Sequence, residues 1–219
     1  LLWVIELLPF AVFFVAAHIT GTQGLAGFEA LGAFAGTVLL ALALQVAYYL
    51  ARVATGSRFG PWRMLSATRE ALLTAFSTAS SAATMPVTYG NLTVKLGVGE
   101  RPATLAALVG THFNNDGTAL YEAVAALFVA QALGIDLTLW QQLVVMAASL
   151  TASVGAAVPE AGIVSMTLVF GAVGLPIEAI GTLLVIDWLL DRARTATNVL
   201  GDIATACLLE GRGDTEAST

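Results

Sequence analysis

Six side chains in the last apolar stretch of the chain have the types and spacing to act together: Asp187, Asp191, Arg194, Thr195, Asn198 and Asp202. On an α-helix, at about 100° per residue, Asp191, Arg194, Asn198 and Asp202 fall within about 80° of the Asp187 direction, and Thr195 lies at the edge of that stripe. Ile186, Leu189, Leu190, Val199 and Ile203 surround it with apolar groups. Arg194 can grip a carboxylate through two parallel N–H donors. Asp191, three residues earlier on the same face, can accept a cationic amine. An Asp or Arg at the centre of a membrane helix costs about 2.5–3.5 kcal/mol on insertion scales. A stripe of this length is therefore expected to line a polar cavity, the plainer alternative being internal pairing of Arg194 with Asp187 or Asp191.

Other breaks in apolar sequence add to this inventory. Asn114 and Asp116, together with Asn198 and Asp202, offer amide and carboxylate oxygens, and unwound backbone over Gly110–Asn114 would add carbonyls. Oxygen donors without an imidazole or thiolate cluster suit a hard cation, Na⁺ rather than zinc or copper. The turns at Ser80-Ser81 and at Val158–Gly162 would present helix amino termini, whose free N–H groups attract an anion. An acidic amino acid carried with sodium satisfies all three features.

Composition places these residues in a membrane. The chain has 219 residues, 58% hydrophobic and 11% charged, whereas soluble domains are about 25% charged. Nine Lys+Arg against fifteen Asp+Glu give a net charge of −6, which with no basic stripe argues against a nucleic-acid partner. The single cysteine, Cys207, excludes an intrachain disulfide. At about 20 residues per helical span the chain accommodates at most about eight crossings. It starts at Leu1 directly in an apolar run without a cationic leader, so it reads as the carboxy-terminal part of a longer membrane protein rather than as a signal peptide.

The elements that must position the site follow from charge and breaks. Two helices are expected within 1–53, separated by an external loop at 21–29, before a stretch with Arg52, Arg58, Arg63 and Arg69 that the positive-inside rule places in the cytoplasm. A first hairpin is expected at about 61–95. Its Ser/Thr-rich centre is not tolerated in a lipid-facing span, and a re-entrant path keeps Lys95 and Arg101 on the cytoplasmic side. A broken helix spans 102–134, a second hairpin 139–175 enters from the external side, and a last helix runs 178–210. The fold class is thus an all-α membrane protein, with transmembrane helices, two opposed re-entrant helical hairpins in an inverted-repeat transporter core, and a helix unwound at the N-x-D-G-T motif. Such paired interruptions point to a midplane transport site. Residues 1–210 form one membrane transport domain, in a plasma or inner membrane, and 211–219 a disordered cytoplasmic tail. His18 is expected in the core, His112 in structural packing, and Glu122 in an interhelical contact.

Four stretches resemble one family, in its order: Ser80-Ser81-Ala82-Ala83-Thr84-Met85-Pro86, Asn114-Asn115-Asp116-Gly117-Thr118-Ala119, Gly171-Ala172-Val173-Gly174-Leu175-Pro176, and Asp191-Arg192-Ala193-Arg194-Thr195-Ala196-Thr197-Asn198-Val199-Leu200-Gly201-Asp202. They are similar to signatures of the dicarboxylate/amino acid:cation symporters, the glutamate transporter family, over its carboxy-terminal half. The resemblance implies that Arg194 holds the substrate side-chain carboxylate and Asp191 its amino group. Thr195, Asn198, Thr118, Ser80, Ser81 and the Val158–Gly162 loop would close round it. It implies two or three Na⁺ sites: at Gly110, Asn114, Asn198 and Asp202; at Asn114 with Asp116; and at the backbone of Ser153, Val154 and Ala156. It further implies elevator-type motion with the second hairpin as external gate, no enzymatic activity, and a homotrimer where an amino-terminal scaffold is present. Ala79, in a place where some prokaryotic members have arginine, and Arg192 on the last helix resemble the eukaryotic branch.

The chain departs from the family pattern at three points. Asn115 replaces a methionine, His112 stands where threonine is frequent, and the second hairpin lacks one glycine between Ala157 and Val158. An ion channel or anion pore lined by the same groups, or a fragment that does not transport without its scaffold, are the alternatives to a sodium-coupled acidic amino acid symporter.

Overall fold

The chain opens with two apolar helices, α1 (Leu2–Gln23) and α2 (Leu25–Gly56), separated by Gly24 alone. Gly24 has φ +62°, a conformation costly for residues with a Cβ. The expected loop at 21–29 shrinks to this one residue, because helix geometry is kept up to it: the Thr22 hydroxyl donates to the His18 carbonyl at 2.7 Å. The computed structural model describes residues 2–154, 156 and 161–211, and every element among them is helical. Within α2, Gly27–Gly56 holds an 18-residue window of mean hydropathy 2.0 and is the one helix among the described residues long and apolar enough to cross a membrane by length and composition. Leu31, Phe34, Val38, Leu42, Tyr49 and Val53 recur at helical spacing along its buried edge, while Leu39, Leu40, Leu44 and Tyr48 face outward.

Helix α3 (Pro61–Thr78) starts with proline, whose missing N–H costs nothing at the first helical position. It ends at Ala79, with φ +49°, and Ser80 caps α4 (Ser81–Gly90) by accepting from the Ala83 amide at 3.1 Å. Helix α4 widens into a π-helical stretch, Asn91–Leu96. The chain folds back on α3 here: Asn91 Oδ1 accepts from the Ala71 amide at 3.4 Å, and Arg63 donates to the Leu96 carbonyl at 3.4 Å.

The next run is helical from α5 (Glu100–Thr104) through a π-helical turn, Leu105–Gly110, to α6 (Thr111–Phe113). Asn114 (φ −96°, ψ 73°) and Asn115 (φ −109°, ψ 47°) then leave helical geometry, before α7 (Asp116–Ala132). Helix α8 (Leu139–Ala152) begins with a reciprocal cap between Thr138 and Gln141. It packs against α9 (Ala161–Val173), and Gly174, at φ +72°, ends that helix. The long α10 (Ile180–Glu210) packs on α1 to α7 and on α9.

Two apolar cores result. One joins α2, α7, α8, α9 and the first half of α10 around Phe34, Tyr121, Phe170 and Leu190. The other joins α2, α3, the 91–107 region and the second half of α10 around Val53, Met64, Leu96 and Ile203. Between Leu190 and Val199 of α10 the buried side chains are polar: Asp191, Arg194, Thr195, Thr197 and Asn198. His18 is exposed rather than in a core, because the outer side of α1, with Phe10, Phe13 and Phe14, has no neighbouring helix among the described residues.

Candidate functional site

Burial of charge begins the site. Arg194 has no exposed surface, and Asp187, Asp191 and Asp202 on the same helix are buried with it. A guanidinium out of water persists only when paired. Its Nη2 donates to Asp191 Oδ1 at 2.8 Å, and its Nη1 lies 3.1 Å from Asp187 Oδ1. The internal pairing weighed as the plainer alternative is therefore present, with both aspartates at once. The Tyr121 ring of α7 stacks 3.8 Å from the guanidinium carbon, a cation–π contact.

This pairing leaves Arg194 incompletely satisfied. Nε and Nη1 have no hydrogen-bond partner among the described residues, since the Asp187 approach lacks hydrogen-bond alignment. Gly162, at the start of α9, lies against the same group: a Cβ there would sit 3.2 Å from Nη1 and 3.4 Å from Cζ. Glycine thus gives the first turn of α9 its close approach to the charge.

Below Arg194 the two asparagines of the α6–α7 break engage α10. Asn198 Nδ2 donates to Thr118 Oγ1 at 3.1 Å and to Asn115 Oδ1 at 3.2 Å, while Asn198 Oδ1 accepts from the Gly117 amide at 2.7 Å. Asn115, which replaces a methionine in the family pattern, thus belongs to this network, and its own amide donates to the His112 carbonyl at 3.3 Å. The His112 side chain is exposed. Asn114 turns the other way, donating to Asp202 Oδ1 at 3.0 Å, and Thr111 donates to Asp202 Oδ2 at 3.4 Å. Gly110 closes over this carboxylate, for a Cβ there would lie 2.6 Å from Asp202 Oδ1. No Lys or Arg among the described residues pairs with Asp202.

The carboxylate of Asp116, expected in one cation cluster with Asn114, faces α2, where Gln45 Nε2 donates at 3.0 Å and the Tyr49 hydroxyl also donates to Oδ2. The cause is helical phase: two residues of non-helical backbone turn successive side chains to different neighbours. Ser80 and Ser81 are buried at the start of α4, which packs on α10 and α6. Thr195 is buried and donates back to the Asp191 carbonyl at 2.8 Å. Ser153 is buried and bonded within its own turn, with Ala156 N donating to the Ser153 carbonyl at 3.0 Å, whereas Val154 is exposed. Val158 and the rest of 157–160, Gly155, and the tail 212–219 lie outside the described residues.

Sequence reasoning missed Tyr121, Tyr49, Gln45, Thr111, Gly117 and Gly201. All but Gly201 lie on other helices, and periodicity within one helix carries no record of its partners. Glu122 does make the expected interhelical contact, accepting from the Ser165 hydroxyl of α9. Among the described residues no group of three or more His, Cys, Asp or Glu forms a metal cluster. The donors around Asp202 are amide, hydroxyl, carbonyl and carboxylate oxygens, which fit an alkali ion.

Residues 1–211 match the model of the sodium:dicarboxylate symporter family. Excitatory amino acid transporter 3 of Mus musculus is 42% identical over 198 residues, covering 87% of this chain and 37% of that protein. Excitatory amino acid transporter 1 of Rattus norvegicus is 42% identical over 170 residues, 77% of this chain and 30% of that protein. An excitatory amino acid transporter of Caenorhabditis elegans is 48% identical over 143 residues, 65% and 28% respectively. The chain spans about a third of the length of these relatives. By name they are transporters, not enzymes.

Proposed function

Because the chain belongs to the sodium:dicarboxylate symporter family, we propose that it is the substrate- and ion-binding domain of an integral membrane, sodium-coupled carrier of acidic amino acids. The observation that carries this reading is the buried guanidinium of Arg194, whose Nε and Nη1 have no hydrogen-bond partner among the described residues. A second carboxylate acceptor would complete it, and the side-chain carboxylate of aspartate or glutamate supplies one. As that group takes Arg194, Asp191 is released to accept the substrate ammonium. Thr118, Thr195 and Asn198 complete the polar wall, and Ser80, Ser81 and the 158–162 turn close it.

Charge balance supports coupling to cations. Among the described residues the interior holds three buried aspartates, Asp187, Asp191 and Asp202, and the half-buried Asp116 against one buried cation, Arg194. An acidic amino acid brings further negative charge, so alkali ions must accompany it. Na⁺ would sit at Gly110, Asn114, Asn198 and Asp202, at Asp116 near Asn114, and at the backbone of Ser153, Val154 and Ala156, giving two or three sites.

The α3–α4 and α8–α9 pairs would be re-entrant hairpins entering from opposite faces, with the carboxy terminus in the cytoplasm. Lifting α9, whose Gly162 lies on Arg194, would uncover the charge, which suits the second hairpin as external gate. Within the longer protein this domain would move as an elevator against a trimeric scaffold.

The test is binding of L-aspartate to the purified chain in NaCl and in choline chloride. Saturable binding only in sodium is expected. Aspartate binding that is equal in both salts, or absent from both, would overturn the proposal.

A further inference from the structure

The Tyr49 contact with Asp116 is not needed to build the substrate pocket, yet it occupies a junction. The Tyr49 hydroxyl donates to Asp116 Oδ2, and the same oxygen of Asp116 accepts from Gln45 Nε2. The phenol also rests on Gly201: a Cβ at that position would lie 2.6 Å from the Tyr49 oxygen and 2.5 Å from Asn114 Nδ2. Gly201 precedes Asp202, the acid bonded by Asn114. One hydroxyl on α2 therefore stands between the Asn114–Asp202 pair and Asp116. Asp116 further borders a cavity of about 280 Å³ shared with Gln45, Met146 and Ser149, and the buried Ser149 hydroxyl on its wall has no hydrogen-bond partner among the described residues. An ion in that cavity would meet the carboxylate directly.

We infer that Tyr49, with Gln45, is a positioning residue that competes with the alkali ion for Asp116 and so sets the cation affinity of that site. This rests on the reading of Asp116 as a cation ligand. Hydrogen bonds to a carboxylate stabilise its charge. Two protein donors on one oxygen supply part of the compensation that Na⁺ would otherwise provide. An incoming ion must displace or share Oδ2, and its affinity falls accordingly. Removing a donor leaves the half-buried carboxylate more dependent on the ion.

The experiment is sodium titration of thermal stability on the purified chain, with choline replacing sodium at constant ionic strength. The wild type, Tyr49→Phe, Gln45→Leu, Asp116→Asn and the double variant Tyr49→Phe/Asp116→Asn are compared. Tyr49→Phe should move the sodium midpoint to about tenfold lower concentration, the size of effect of one hydrogen bond to a charged acceptor. Gln45→Leu should move it the same way, which keeps the test available if the tyrosine variant does not fold. In the Asp116→Asn background the tyrosine change should move nothing. An unchanged midpoint, a shift to higher sodium, or an equal shift in the Asp116→Asn background overturns the inference and leaves the cation reading intact. A wild-type chain with no sodium-dependent stabilisation overturns the cation reading itself, so the two failures are distinct.

Discussion

Arg194 shows how a single residue acquires a function from its surroundings. A fully buried guanidinium is held by two aspartates and one aromatic face, and two of its three nitrogens, Nε and Nη1, have no hydrogen bond among the described residues. Arg194→Ala should reduce aspartate binding by more than about a hundredfold while sodium stabilisation persists, because buried charge-assisted pairs cost about 3–5 kcal/mol to break. Isothermal titration of aspartate at saturating sodium measures this, and unaltered affinity would reject the assigned role. Arg194→Lys is expected to rescue little, since an ammonium lacks the planar fork that grips a carboxylate. Gly162→Ala makes a finer test. The added Cβ would press within 3.2–3.4 Å of the guanidinium. It should weaken aspartate binding several-fold with a small change in melting temperature, and equal affinities would show that α9 is free to yield there.

At the scale of elements, α10 and α7 explain what was legible in the sequence and what was not. The stripe Asp187, Asp191, Arg194, Asn198 and Asp202 was readable because helical periodicity is a property of one segment, and all five are buried on α10. The apolar neighbours Leu190, Val199 and Ile203 were readable for the same reason. Partnerships across helices were not. Whether Asp116 meets Asn114 or Tyr49 depends on the phase of α7 after the Asn114–Asn115 break, and that phase comes from packing on α2. The short break at Gly24 was overestimated as a loop, because Gly21 and Thr22 weaken a helix without ending it. Glycine contacts between helices leave no mark in a hydropathy pattern either. Gly117 is the sharpest case, since a Cβ there would lie 2.6 Å from the Arg194 carbonyl oxygen and 3.0 Å from Asn198 Oδ1. Gly117→Ala must therefore separate α7 from α10. A loss of about 1–3 kcal/mol is expected from such overpacking, read as a lowered melting temperature with weakened aspartate and sodium responses together.

For the whole molecule, the two apolar cores meet along a polar seam, and stability and the proposed ion binding become one problem there. The cores are built from different helices, but α2 and α10 run through both. A salt bridge of 2.6 Å between Arg58 and Glu210, with Glu210 also accepting from the Gly99 amide at 3.0 Å, ties the far ends of these two long helices together. Within the seam Arg194 is paired with Asp187 and Asp191, but Asp202 has no such partner among the described residues. Asp202 is 1% exposed, bonded by Asn114 and Thr111, and faces no Lys or Arg among the described residues. A charge buried in this way costs stability until a cation joins it. Sodium at about 100 times its dissociation constant should return about 2.7 kcal/mol per site. Asp202→Asn keeps the shape, and the amide oxygen can still accept from Asn114. The variant should therefore melt higher than the wild type in choline, because the uncompensated charge is gone, and gain less on adding sodium. The two melting curves should converge or cross as sodium rises. A variant that is less stable in choline, yet gains as much from sodium as the wild type, would mean that Asp202 serves packing and that the ion binds elsewhere along the seam.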